Sequence, residues 1–237
     1  MPVARWLAGT LLLMCLAAWA AGTCWAGEMR VATGPLGSGV TVRQPVRSVK
    51  ELKEQNVVIQ RLDYSCGSAA VSTIFTYYLN EPVSEADVIS GILQTGDLKQ
   101  IIQRKGFSLL ELKRFAESRG ATAAGYSMDL EALAALERPV IVPLKLTDRL
   151  HFVVWRGYRE GRAFIADPAI GRRTLSAEEF DSLWDPKVGL IISKPLPDPE
   201  ESDLALGPED ELFPDRMSLR HVLLRPGFPS AAVPGEF

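Results

Sequence analysis

Cys66 opens a helical run, and His151 and Asp167 downstream are residue types that could make its thiol a nucleophile. A thiol at a helix N-terminus meets unpaired backbone N–H groups and the positive end of the helix dipole, which favour thiolate over thiol. Such a thiolate can attack a carbonyl carbon while its own backbone N–H helps hold the resulting oxyanion. Gly67 and Ser68 follow, and residues this small are expected to let a substrate backbone come close. The competing role is an inert buried cysteine, since free cysteine packs well in cores.

A thiol needs a base, and the sequence holds two histidines. His221 sits beside Arg220 in Pro- and Gly-rich sequence, whereas His151 begins an apolar strand that would fix an imidazole at its edge. A lone strand histidine is commonly structural, but the scarcity of alternatives makes His151 the expected general base and acid. A third group should orient the ring through its far nitrogen. A hairpin around Glu160-Gly161 would return Asp167 beside His151. Asp167 could equally serve an Asx-turn before Pro168, and Asp148, in an expected turn, is the nearest competitor. Gln60 lies six residues before Cys66, where its amide could complete an oxyanion hole, although a solvated glutamine is the commoner case.

Cysteine counting depends on compartment. Arg5, an apolar run from Leu7 to Ala21 and small residues ending at Ala26 have the layout of a secretory signal peptide. The run is short for a membrane span, which needs ~20 apolar residues. Cleavage is expected after Ala26, with Ala20 the alternative site and an uncleaved N-terminal anchor the alternative outcome; after cleavage no stable span would remain. Cys15 and Cys24 would leave with the signal, and Cys66 would stand alone. A single cysteine excludes an internal disulfide framework and a cysteine-based zinc cluster. It also leaves an exported thiol open to oxidation. A thiol–imidazole pair calls for no cofactor and no metal. The net charge of -3 and the absence of a basic patch argue against nucleic acid as a partner.

Four segments are expected: a signal over 1–26, an extended leader over 27–56 with at most one strand, a domain over 57–193, and a Pro-rich acidic tail over 194–237. Ser65 to Asn80 reads as a helix, with Ala69, Ala70, Thr73, Ile74 and Tyr77 at helical spacing. Ser84 and Ser108 open capping boxes for two more helices, and Asp129 to Leu136 makes a fourth. Apolar, β-branched strands follow at Pro139–Leu146, His151–Tyr158, Ala163–Ala166, Arg172–Leu175 and Val188–Ile192, interrupted by a helix from Ser176 to Trp184. Helices first and strands afterwards give an α+β fold with N-terminal helices on an antiparallel sheet. From Pro195 onward lie half of the 16 prolines, and Asp198 to Asp215 holds eight acidic residues and no basic one. Such a segment is expected to bury little, wrapping the surface or staying mobile.

Gln60-Arg61-Leu62-Asp63-Tyr64-Ser65-Cys66-Gly67, with His151-Phe152-Val153-Val154 and Asp167-Pro168-Ala169, resembles the C39 peptidase family, from about Val57 to Ile192. Ser176 to Trp184 is similar to the family's closing segment. The resemblance implies a papain-like fold and a cysteine peptidase of the type that trims double-glycine leaders. It implies Cys66 as nucleophile, His151 as base, Asp167 as orienter and Gln60 as oxyanion donor. Ser65 stands where fused members often carry Asp, and no transporter or ATPase part accompanies the domain. The chain is therefore more similar to standalone exported members, one of which belongs to functional-amyloid secretion systems of Gram-negative bacteria. The implied partners are a periplasmic protein or peptide substrate and secretion-system components, with cutting after small residues such as Gly-Gly. Two other classes stay open: a peptide-binding secretion accessory without turnover, and an acyl transferase or amidase acting on cell-wall peptides.

Overall fold

The computed structural model describes residues 27–32, 41–146, 149–194 and 202–212. Residues 1–26, read from the sequence as a signal, lie outside them, as do Asp148 and His221. Two compact units divide the chain near residue 51. In the first, strands β1 (Gly27–Ala32) and β2 (Thr41–Val46) pair antiparallel, so the expected leader holds two strands instead of at most one.

The second unit begins with helices and ends with strands. Helix α1 (Val49–Glu54) straddles the division. Then come α2 (Cys66–Tyr77), α3 (Glu85–Thr95), α4 (Leu98–Arg104) and α5 (Leu109–Ser118). Strand β3 (Thr122–Ser127) and helix α6 (Leu130–Ala134) lead into β4 (Val140–Lys145), β5 (Leu150–Arg159), β6 (Arg162–Asp167) and β7 (Gly171–Ser176). Helix α7 (Ala177–Leu183) and strand β8 (Val188–Ser193) complete the set. The six strands order as β3-β8-β4-β5-β6-β7, with every neighbouring pair antiparallel.

Alternation along the central strands builds two cores. Ile141, Phe152 and Val154 join one, filled from α2, α3 and α5 by Val71, Ile74, Phe75, Val88 and Leu112. Val142, Val153, Trp155 and Ile165 join the other, closed by Phe180 and Trp184. Both faces of β4 and β5 are thus covered, which is why these strands read as nearly continuous apolar runs. The expected capping boxes at Ser84 and Ser108 are both formed. Helices α1 and α4 and strand β3 were not expected, α1 falling in the segment read as an extended leader. Helix α4 is seven residues long and too short to show a period, and β3 (Thr122-Ala123-Ala124-Gly125-Tyr126-Ser127) carries no alternating apolar signal.

Part of the acidic tail departs from expectation. Within 202–212, Leu204 is buried in the helix-side core and Asp210 is 3% exposed. The cause is Arg156, placed at an irregularity of β5 where Trp155 pairs with Ile165 and Gly157 with Phe164. Its Nε donates to the Leu204 carbonyl at 3.0 Å, and its Nη2 to the Ala205 carbonyl at 2.8 Å and to Asp210 Oδ2 at 3.0 Å. Its Nη1 pairs with Asp210 Oδ1. Arg172 donates from Nε to the Gln55 carbonyl at 3.0 Å and lies 3.5 Å from Asp210 Oδ1. Removing one member of such a buried pair leaves an uncompensated charge, at a cost of about 3–5 kcal/mol. Arg156→Ala or Asp210→Ala should accordingly lower the unfolding midpoint by roughly 10 °C in a thermal melt. Arg156→Met with Asp210→Leu should cost less than either single change, and an unaltered midpoint in the single variants would dismiss the clamp.

Candidate active site

The thiol, the imidazole and the carboxylate come from three elements. Cys66 is the first residue of α2, whose run of Ala69, Ala70, Val71, Ile74 and Phe75 is buried. Ser65 precedes it as N-cap but makes no side-chain bond to the helix. Its hydroxyl instead donates to the Leu62 carbonyl at 2.8 Å and accepts the Leu62 N–H at 3.3 Å. The first N–H groups of α2 are therefore left without the usual side-chain acceptor and remain available to an anion.

His151 is the second residue of β5, and Asp167 ends β6. Glu160 and Gly161, both at positive φ, make the tight turn between these strands. The irregularity at Arg156 shifts the register so that Ala166 faces Val154, and Asp167 continues one step towards the His151 end. Beyond it, Gly171 pairs with Asp167 at φ +87°, and a Cβ there would lie 2.4 Å from the Lys53 carbonyl oxygen, so only glycine fits. His151 Nε2 and Asp167 Oδ1 are 2.7 Å apart, and both side chains are buried. Asp167 Oδ1 also accepts the Ala169 N–H at 2.8 Å. The Asx-turn and the histidine contact are thus made by the same oxygen.

Nε2 is taken by Asp167, and Nδ1 is the ring nitrogen left to serve the Cys66 thiol, which lines the same cleft as the imidazole. The Phe152 N–H points at the Cys66 sulfur from 3.5 Å. Burial opposes ionisation of Cys66, but the His151 hydrogen bond, the Phe152 N–H, the imidazolium charge and the Gly67 N–H outweigh it, and the thiol pKa falls. Burial also favours a neutral His151, yet hydrogen bonds to Asp167 and Cys66 and their charges raise its pKa to about 9. Both shifts favour a thiolate–imidazolium pair.

Gln60 stands apart from this chain of contacts. Its backbone N–H donates to the Pro168 carbonyl at 2.8 Å, which ties it to the turn after Asp167. Its side-chain Nε2 donates to the Leu62 carbonyl at 2.9 Å, and Oε1 is buried with no partner among the described residues. Gly67 and Ser68 also behave differently from expectation. Both are buried, and a Cβ on Gly67 would meet Leu112 at 3.1 Å and Phe152 at 3.2 Å. Their small size admits core side chains and not a substrate.

Cys66 and His151 open on a cleft of about 330 Å³ walled by Asp63, Tyr64, Phe107, Pro143, Arg149 and Phe152. An apolar groove of about 320 Å³ continues from it along Leu62, Tyr64, Ile101, Ile102 and Phe107. Leu62 and Ile102 are 60% and 67% exposed there, an unusual state for two adjoining aliphatic side chains. Much of the groove comes from α4 and the turn after it. The signal that could have located α4 is Asp97, whose carboxylate caps the Lys99 and Gln100 N–H groups.

Residues 54–196 match the model of the Peptidase C39 family. The chain is 34% identical over 183 residues to a probable functional amyloid protease FapD of Pseudomonas fluorescens, covering 76% of this chain and 79% of that protein. It is likewise 34% identical over 158 residues to a probable functional amyloid protease FapD of Pseudomonas aeruginosa, covering 67% and 69%. Among solved structures, the peptidase domain of Streptococcus ComA, a bi-functional ABC transporter involved in quorum sensing, superposes with a TM-score of 0.51. That pair shares 20% identity over 59% of this chain and 98% of the domain, a likeness of fold.

Proposed function

The chain belongs to the C39 peptidase family, and from that premise we propose that it is an exported thiol endopeptidase cutting a protein substrate of a functional-amyloid secretion system. The observation that carries the chemistry is the His151–Asp167 bond with the Cys66 thiol and the imidazole on one cleft, where the thiol pKa is lowered and the imidazole pKa raised. Cys66 attacks the scissile carbonyl as thiolate, and His151 gives its proton to the leaving amine. Water, deprotonated by the same imidazole, then releases the acyl-enzyme. Asp167 holds the ring, while the Cys66 N–H and the Gln60 amide stabilise the oxyanion. The amide group of Gln60 carries two N–H bonds and uses one on Leu62; the second would be the oxyanion donor.

The functional-amyloid setting is supported by the two FapD relatives. Export to the periplasm is supported by the basic, apolar and small-residue order of residues 1–26. The family resemblance implies small residues before the cut, and the apolar groove beside the cleft suits a substrate segment with aliphatic side chains. The test is a gel assay of the purified protein with exported partners encoded beside it. Discrete cleavage that disappears in Cys66→Ala supports the proposal. Binding without cleavage, unchanged in that variant, would indicate an accessory, and products from cell-wall peptides alone would indicate an amidase.

A further inference from the structure

We propose that Glu85 is a positioning residue for this site, holding the Gln60–Cys66 loop in its oxyanion-binding geometry through the backbone of Arg61. The inference rests on the reading of Cys66 as an acylating nucleophile. Glu85 occupies the first turn of α3 and is only 7% exposed. A carboxylate out of water needs compensation, yet among the described residues no ion pair reaches it. Capping does not explain it either. Ser84 and the exposed Asp87 already complete the capping box of α3. Glu85 instead turns inward and takes the Arg61 N–H on both oxygens, at 3.1 and 3.2 Å.

Arg61 is the neighbour of Gln60, and consecutive N–H groups are thus held by different elements. The Gln60 N–H goes to Pro168, after Asp167, and the Arg61 N–H goes to α3. The start of α3 is itself tied to the nucleophile helix, because the Val83 N–H donates to Thr76 Oγ1 at 3.3 Å and the Ser72 hydroxyl donates to the Val83 carbonyl. A continuous circuit therefore runs from α2 through Val83, Glu85 and Arg61 to Gln60, and on through Pro168 to Asp167. Glu85 is the side chain by which this circuit reaches the loop between Gln60 and Cys66; Arg149 reaches the same loop separately, donating to the Asp63 carbonyl at 3.4 Å, and the loop sets Asp63 and Tyr64 in the cleft wall.

An oxyanion device has a signature that general damage lacks. With p-nitrophenyl acetate the Cys66 thiolate adds to the acetyl carbonyl, whose oxygen becomes an oxyanion. Collapse then expels p-nitrophenolate and leaves the S-acetyl enzyme. With iodoacetamide the same thiolate displaces iodide from carbon, and no oxyanion forms. In the intact protein, Glu85→Ala should slow acetylation at least about tenfold while alkylation changes less than twofold. Glu85→Asp keeps the charge but falls short of Arg61, so it should behave like Glu85→Ala and serves in its place if the alanine variant does not fold. Glu85→Gln keeps one acceptor oxygen and should retain most of the acetylation rate. Adding Glu85→Ala to Gln60→Ala should cause no further loss.

Equal slowing of both reactions, unchanged acetylation, or full additivity with Gln60→Ala would overturn the assignment. A parent protein that alkylates at Cys66 but releases no nitrophenolate would instead remove the peptidase reading beneath it.

Discussion

Replacing His151 with alanine will slow peptide cleavage by about 10³-fold or more at neutral pH, and will move the onset of Cys66 reactivity to higher pH. Two losses combine. The imidazolium that protonates the leaving amine disappears, and the thiolate loses the hydrogen bond and charge that offset its burial. An ordinary thiol titrates near ~8.5, and burial without a counter-charge would push this one higher. Iodoacetamide should therefore alkylate Cys66 of the intact protein well below pH 8, and alkylate the His151→Ala variant efficiently only above it. Cleavage by the parent protein should also fall as the pH climbs through about 9, where His151 loses its proton and can no longer serve the leaving group. An alkylation profile unmoved by His151→Ala would mean that the pair does not act as a unit.

What made this pair legible in the sequence was scarcity and local pattern together. One thiol after residue 26, one histidine opening an apolar strand, and a Glu160-Gly161 turn sufficed to bring Asp167 back towards His151. The α+β order was equally readable, because capping boxes and runs of β-branched residues are local signals. The strand irregularity at Arg156 was not readable, since nothing in Trp155-Arg156-Gly157 announces an extra residue. Nor was its partner, because Asp210 lies 54 positions away in a segment whose composition suggests an exposed chain. The inward turn of Glu85 was hidden for a similar reason: beside Ser84 and Asp87 it looks like one more acid at a helix start. Gln60 shows the opposite limit. Its spacing from Cys66 is clear in the sequence, but the bond its side chain makes to the Leu62 carbonyl is not.

Asp167 offers the sharpest test of what the third residue contributes, because its two substitutions should part company. Oδ1 accepts from both His151 and the Ala169 N–H, so one oxygen fixes the ring and the turn that leads to Gly171. Asparagine can present an amide oxygen to both donors. It keeps the ring in place with Nδ1 towards Cys66, but removes the negative charge that helps raise the His151 pKa to about 9. Asp167→Asn should therefore remain within about tenfold of the parent kcat/KM, with the alkaline limb of its pH profile displaced to lower pH. Asp167→Ala loses the acceptor as well as the charge. The ring is then free to rotate, the Ala169 N–H is left unsatisfied, and kcat should drop about 100-fold with KM little changed. Measuring kcat/KM for both variants between pH 5 and 10 separates the two effects. If the asparagine protein is as impaired as the alanine protein, charge is the dominant contribution. If neither is impaired, His151 is oriented by strand packing alone and Asp167 belongs to the turn.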